Sequence, residues 1–373
     1  MNIAIIGNGP AGSTAAARFA RDGHTVALFS DGRRPGMIVG ESLIPALVPL
    51  LRRLGIEDEV ARISTRKPGV TFISRGGRIF AFSFELTSRY LPAYAYNVPR
   101  PQFDEIVRQC ALRHGARELT SHVKLERAGD RVLLPRETLD LLPEWGGRQP
   151  DLVVDASGRR RQVGRLLGIP AVPGNRRDIS YFAHYDGFQP ESPCGQVVIT
   201  TLEAGWAWRI PLPGRMSFGI VMPREAAERL GDTPAQRLDN ALAGNPLLAG
   251  DAAGCRRISG IQTYTNYQMM SRRGSGENWA CTGDAFGFID PMLSSGMWLA
   301  MHSGDLLASL VARHPLRRAL ARHDSSMRSL IAAWMDLIDY FYDGRIFAMK
   351  ETGRMVLERH RNPISLSVQS HLD

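Results

Sequence analysis

Cysteine is scarce in this chain and scattered where it occurs. Cys110, Cys194, Cys255 and Cys281 are the four cysteines among 373 residues, and no two form a CxxC pair. That spacing excludes a structural zinc knot and a disulfide scaffold, and it fits a reducing compartment. No metal site is expected. There is no apolar run of about 18 residues, so no membrane span is expected. Met1-Asn2 leads straight into a short apolar strand, without a basic region or a cleavage site. No signal peptide is read, and the cytoplasm is the expected compartment. Repeats and low-complexity linkers are missing too. Acidic residues are outnumbered: 37 Asp plus Glu stand against 46 Lys plus Arg, a net charge of +9. Clusters such as Arg159-Arg160-Arg161 and Arg176-Arg177 read either as solvated loops or as attraction to an acidic partner. No basic stripe interleaved with aromatics appears, so nucleic acid is not the expected partner.

What is present is ordinary globular material. Hydrophobic residues make up 44% and charged residues 22%, enough for a true core. The length suits one large domain or two interleaved ones. Asn2-Ile3-Ala4-Ile5-Ile6 reads as a buried parallel strand. Gly7-Asn8-Gly9-Pro10-Ala11-Gly12 follows, then an Ala-rich helix from Ser13 to Asp22, then the strand Thr25 to Phe29. This is a βαβ unit with GxGxxG in the place the geometry needs. Gly7 permits the turn, Gly9 lets backbone approach a pyrophosphate, and Gly12 lets the helix pack close to the strand. The free N–H groups at the helix start then face the phosphates. The acidic residue that usually binds ribose would fall at Ser30; Asp31 is adjacent and is expected to serve instead.

Three more segments follow in order: Tyr96-Asn97-Val98-Pro99-Arg100, Asp151 to Gly158 with its Asp-Ala-Ser-Gly, and Cys281-Thr282-Gly283-Asp284-Ala285. Together with the first motif they resemble the FAD-binding pattern of the para-hydroxybenzoate hydroxylase-like superfamily over about residues 1–350. The resemblance implies a Rossmann-like α/β FAD fold, interleaved with an antiparallel substrate-side sheet and followed by a helical C-terminus. It implies that Arg100 meets FAD and that Asp284 bonds the ribityl chain. A helix from about Ser295 to Leu307 would point its positive end at the flavin.

Further segments narrow the family. Val39-Gly40-Glu41-Ser42-Leu43-Ile44-Pro45 is similar to the Gly-Glu-Ser segment of flavin-dependent halogenases. Lys67-Pro68-Gly69-Val70-Thr71-Phe72 is similar to their Lys-x-Gly-x-x-Phe, and Trp206-Ala207-Trp208-Arg209-Ile210-Pro211 to their Trp-x-Trp-x-Ile-Pro. Asp290-Pro291-Met292-Leu293-Ser294-Ser295-Gly296 resembles their Asp-Pro-x-x-Ser-Ser-Gly, whose N–H groups hold a halide or the distal oxygen of a flavin C4a-hydroperoxide. The resemblance implies catalytic roles for Lys67, Glu41, Trp206 and Trp208. Lys67 would polarise the oxidant from the end of a tunnel; the alternative reading is an ordinary surface lysine in a loop. The two tryptophans alternate on a strand and are expected to share one face. FAD contacts are implied for Gly7, Gly9, Pro10, Ala11, Gly12, Asp31, Glu41, Ser42, Arg100, Gly283, Asp284, Pro291, Ser294, Ser295, Gly296 and Met297.

The chain ends 30 residues after Phe341-Tyr342-Asp343. Halogenases usually continue well beyond that point, so a shorter lid and a large substrate are expected. Short flavoproteins of this kind resemble maturases of tryptophylquinone enzymes. The leading expectation is an FAD monooxygenase that oxygenates an aromatic ring, a tryptophan within a protein substrate. The alternatives are a halogenase of an indole, phenol or pyrrole, and a non-catalytic flavin-bearing partner protein. FAD would be reduced by NAD(P)H directly or by a separate flavin reductase, with O2 as co-substrate. Expected boundaries are 1–72, 97–178 and 255–310 for the FAD part, 73–96 and 179–254 for the substrate sheet, and 311–373 for a helical region. Helices are expected from about Leu43 to Leu54, Phe103 to His114, Ala226 to Ala243, and from Ser294 to about Arg361. A hairpin is expected around Gly76-Gly77, and disorder over Asn362 to Asp373.

Overall fold

The computed structural model describes residues 1–33, 37–86, 90–188 and 193–345. Two sheets organise them. The first is all parallel, in the order Trp279–Cys281, Leu152–Asp155, Asn2–Ile6, Thr25–Ser30, Arg117–Thr120. Every residue of Asn2–Ile6 is buried, as a strand covered on both faces must be. The helix Pro10–Arg21 covers it and packs against the helices Arg100–Arg113 and Ser295–Val311. The approach to the latter is close: a Cβ on Gly304 would lie 2.7 Å from the Ala11 carbonyl oxygen. A buried Arg18–Asp305 ion pair ties the same two helices together.

The second sheet has nine strands. Its path runs Gly287–Phe288, Gln262–Ser271, Ala171–Asp186, Arg215–Pro223, Trp206–Leu212, Val197–Thr201, Gly69–Ile73, Ile79–Ser83, with Arg256–Arg257 beside Ala171–Asp186. It is antiparallel except where Val197–Thr201 pairs parallel with Gly69–Ile73. Gln262–Ser271 and Ala171–Asp178, expected on the FAD side, are hydrogen-bonded into this sheet. The hairpin around Gly76-Gly77 forms as expected.

The expected helix from Ala226 to Ala243 is two helices, Arg224–Glu228 and Pro234–Ala243. Pro234 cannot continue a helix, and Thr233 with Gln236 forms a capping box that starts a new one. The Leu43 to Leu54 segment begins as a single 3-10 turn, Pro45–Leu47, and becomes α-helix at Val48–Leu54. At the C-terminal end the helices are Ser295–Val311 and Leu316–Tyr342. The expected continuation to Arg361 and the tail from Asn362 lie outside the described residues. No described helix is long and apolar enough to cross a membrane.

Candidate functional site

The dinucleotide end is built from backbone. Gly7 has φ of 108°, and a Cβ there would lie 2.4 Å from the Ala156 carbonyl oxygen. A Cβ on Gly12 would fall 1.9 Å from the Gly7 carbonyl oxygen. Gly9 faces open space, and as N-cap of the helix it supplies no capping side chain. Pro10 opens that helix, so the free N–H groups of its first turn begin with Ala11 and Gly12. A cavity of about 390 Å³ lies here, lined by Gly7, Gly9, Ser30, Asp31, Ser157 and Arg160 among others.

Asp31 lines the cavity where the usual acid would, one position past the expected one. Its carboxylate accepts from Arg160 and, at 3.0 Å, from the Arg33 N–H, and the Arg160 bond holds it below the usual carboxylate range. The Ser30 hydroxyl is committed to its own turn, accepting the Gly32 N–H at 3.1 Å.

The distal half joins this cradle. Gly283 is left-handed, with φ of 57°, and a Cβ there would meet Ala11 Cβ at 2.9 Å. Its N–H donates to Ser303 Oγ at 2.8 Å. Burial pushes the neighbouring Asp284 carboxyl up, opposed by Arg159 and Arg100. Arg100 grips Asp104 through Nε and Nη2 at 3.0 and 3.1 Å and donates to the Val39 carbonyl, fixing the start of the Gly-Glu-Ser segment. The buried hydroxyls of Thr282 and Ser295 have no partner among the described residues. A glycine cradle, an uncapped helix start and two orphaned hydroxyls fit FAD, its phosphates at Gly9 to Gly12 and its ribityl chain at Asp284.

The chemistry end is built from side chains. Lys67 is not an exposed lysine in a surface loop. It closes the strand Thr65–Lys67, paired with Ala95–Asn97, and is only 1% exposed. It is not among the residues lining the cavity. Its Nζ donates to Ser42 Oγ at 2.8 Å and to the Leu43 carbonyl at 3.0 Å, and lies 5.4 Å from the Phe84 ring centroid. Burial lowers its pKa to about 7. Beside Ser42, Glu41 Oε1 lies 2.7 Å from His184 Nε2, and the Glu41 side chain is nearly enclosed.

Trp206 and Trp208 share one face as the alternation requires, with ring centroids 5.7 Å apart. Both are core residues and neither lines the cavity. Their ring N–H groups are spoken for: Trp208 Nε1 donates to Ser217 Oγ at 3.3 Å, and Trp206 Nε1 to Tyr342 Oη at 2.9 Å. Tyr342 Oη in turn lies 3.3 Å from both Asp290 carboxylate oxygens. Asp290 also accepts the Met292 N–H at 2.8 Å. Arg176 lies over the Tyr342 ring, 3.2 Å from its centroid. Burial pushes Asp290 up to about 7, against the pull of the Met292 N–H and Arg176.

Asp290 thus anchors the segment that carries Pro291, Ser294, Ser295, Gly296 and Met297. Leu293 and Ser294 both adopt left-handed backbone, with φ of 63° and 57°. Each costs roughly 1–2 kcal/mol, so the turn needs an anchor. The helix Ser295–Val311 starts there without a side-chain cap, leaving Gly296 and Met297 in an uncapped first turn.

His184, Tyr342, Arg176 and Asn97 are the members that sequence reasoning did not place. Asn97 pairs with Ser42 in an isolated bridge and donates to the Gly195 carbonyl at 3.0 Å. Tyr342 had one available signal, its place in a Phe-Tyr-Asp segment. His184 had none beyond its position on a strand.

Residues 2–92 and 87–346 match the tryptophan halogenase family. A tryptophan 2-halogenase of Chondromyces crocatus is 30% identical over 94% of this chain and 69% of its own length. A 1H-pyrrole-2-carbonyl-[peptidyl-carrier protein] brominase of Pseudoalteromonas luteoviolacea is 27% identical over 93% of this chain and 86% of its own. Among solved structures, a triple mutant of the flavin-dependent brominase Bmp2 is 25% identical with a TM-score of 0.79, covering 95% of this chain and 93% of that one. The chain belongs to the flavin-dependent halogenase family. That makes it an FAD-dependent enzyme of the oxidoreductase type, in a family that uses O2 and flavin reduced by a flavin reductase.

Proposed function

We propose that this protein halogenates an electron-rich aromatic or pyrrole ring, with Lys67 as the group that directs the oxidised halogen. One observation carries the reading: a lysine, wholly enclosed, whose ammonium is held by Ser42 and the Leu43 carbonyl of the Gly-Glu-Ser segment. Structural lysines are rarely fully buried, and such burial is common at sites of chemistry. With a pKa near 7 the Nζ is available both as a donor to an oxidant oxygen and as a neutral amine. Bound FAD, once reduced, supplies the oxygen-derived oxidant. Glu41 Oε1 and His184 Nε2, 2.7 Å apart, form a hydrogen-bonded pair in the wall beside Ser42. The uncapped helix start at Ser295 offers N–H donors to a halide.

The substrate reading follows the relatives. One is a tryptophan 2-halogenase, 30% identical over 94% of this chain, and another a 1H-pyrrole-2-carbonyl-[peptidyl-carrier protein] brominase, 27% identical over 93%. Those two support an aromatic or pyrrole ring as the acceptor, free or carrier-bound. Neither supports oxygenation of a tryptophan within a protein.

The test is product mass with chemically reduced enzyme, O2 and bromide or chloride. Free tryptophan, a phenol, a carrier-bound pyrrole and a tryptophan-bearing protein would be offered. A halogen isotope pattern on any of them supports the proposal. Gain of one or two oxygens on the protein, indifferent to halide, replaces it with the oxygenase. Lys67→Ala should keep FAD and lose product; unchanged turnover would sink the lysine's role.

A further inference from the structure

A second cavity, of about 450 Å³, lies on the other side of the Gly158–Arg160 turn. It shares no lining residue with the dinucleotide cavity. Arg159, Arg161, Arg165, Arg177, Gln268 and Met269 are among its walls, and no carboxylate is. The arginines alternate in where they go. Arg160 turns to the first cavity and pairs with Asp31, and Arg176 pairs with Asp178 at 2.8 Å. Their neighbours Arg159, Arg161 and Arg177, with Arg165, form no ion pair among the described residues.

Four guanidiniums around one cavity repel each other, and nothing in the wall compensates them. Two are held in place by neutral acceptors. Arg161 Nη2 donates to the Ile169 carbonyl at 3.0 Å and to Ser271 Oγ at 3.1 Å, and Arg159 donates to the Thr265 carbonyl while lying over Phe288. The buried Arg161 Nε and Gln268 Nε2 have no partner among the described residues. Both of these unmet groups are donors, so the demand is for an acceptor. The volume is that of a small-molecule site.

We infer that this cavity binds a phosphate ester or diphosphate, a group with enough oxygens and charge to bridge several guanidinium forks. A nicotinamide dinucleotide and a phosphopantetheine arm both carry that chemistry. Arg159 also acts on Asp284, so an anion here would be felt on the flavin side.

The probe is inorganic pyrophosphate, titrated calorimetrically into the full chain loaded with FAD so that the first cavity is occupied. Saturable binding is expected. The double variant Arg165→Glu/Arg177→Glu changes two exposed residues. It should keep its FAD and weaken pyrophosphate by about tenfold or more. A control, Arg136→Glu, removes a surface arginine elsewhere and should leave binding within about twofold of wild type. No binding by the wild type, or equal binding by the double variant, would overturn the inference. Competition then separates the sources. Displacement by NADPH assigns a dinucleotide, and displacement by pantetheine 4′-phosphate assigns the carrier arm. Pyrophosphate that neither displaces would refute the phosphate-ester assignment.

Discussion

The dinucleotide end and the Lys67–Asp290 end are built from different materials. The first is backbone: glycines at 7, 9 and 12, a helix start and a turn at Gly283. The second is side chains drawn from far apart: Trp206 and Tyr342 are 136 residues apart in sequence, Glu41 and His184 143. The first is open where phosphates go. The second is closed, and both its lysine and its buried aspartate are pushed towards a pKa of about 7. A cradle can be made from whichever glycines fit. A closed polar cluster must satisfy each member, so it fixes identity at every position.

The sharpest way to break that comparison is Lys67→Met. Product should fall by about 100-fold or more, as when a preorganised donor is removed. Stability should move the other way. The folded pKa is about 7 against an ordinary 10.5, so folding disfavours the charged form. Below pH 7 both states hold the proton, and the penalty is felt in full. Between about 7 and 10.5 the unfolded chain binds more protons, so wild-type stability rises with pH there. The variant should lack that rise and gain about 1 kcal/mol at pH 6, net of two lost hydrogen bonds. Chemical denaturation at pH 6 and 9 checks it. A variant less stable than wild type at pH 6 would make Lys67 a structural residue.

The cradle answers differently. Gly12→Ala sets a Cβ 1.9 Å from a backbone oxygen that cannot yield, and should cost about 3 kcal/mol and release FAD. Gly9→Ala meets nothing within 4 Å and should fold normally yet bind FAD weakly. Flavin absorbance and thermal unfolding distinguish the two. Equal stability losses would mean that Gly9 is not the phosphate approach.

The contrast explains what could be read from sequence. The GxGxxG turn, the Gly-Asp turn and the alternating tryptophans are local, and each took its expected form. The enclosure of Lys67 was not legible locally, because it depends on Ala95–Asn97 and the Gly-Glu-Ser segment, contacts no local pattern shows. The strand Gln262–Ser271 was placed with FAD by chain order, while its hydrogen bonds run to Ala171–Asp186. The Trp206–Tyr342–Asp290 chain joins three family segments whose proximity only folding reveals.

Asp290→Asn tests that chain more gently. The folded pKa, about 7, stands above the ordinary 3.8. Between those values the folded state binds more protons, so stability falls as pH rises, and the penalty is complete above 7. Asparagine keeps an acceptor for the Met292 N–H. The variant should gain about 1–3 kcal/mol at pH 8 and nothing at pH 4. A gain that is the same at both pH values would show that Asp290 does not titrate in this window.

The smallest expected effect belongs to Asp31. It is part-exposed, and its pairing with Arg160, half-exposed, is a rim interaction worth at most about 1 kcal/mol. Its place in the lining is where an acid for the ribose hydroxyls would stand, in competition with that arginine. Asp31→Ala should therefore weaken FAD about three- to tenfold and leave stability within about 0.5 kcal/mol. Ser30→Ala removes only an acceptor for the Gly32 N–H and should leave FAD affinity unchanged. If Ser30→Ala weakens FAD more than Asp31→Ala does, the ribose contact sits at the end of the strand after all. The one-residue offset would then be a feature of the sequence motif and not of the site.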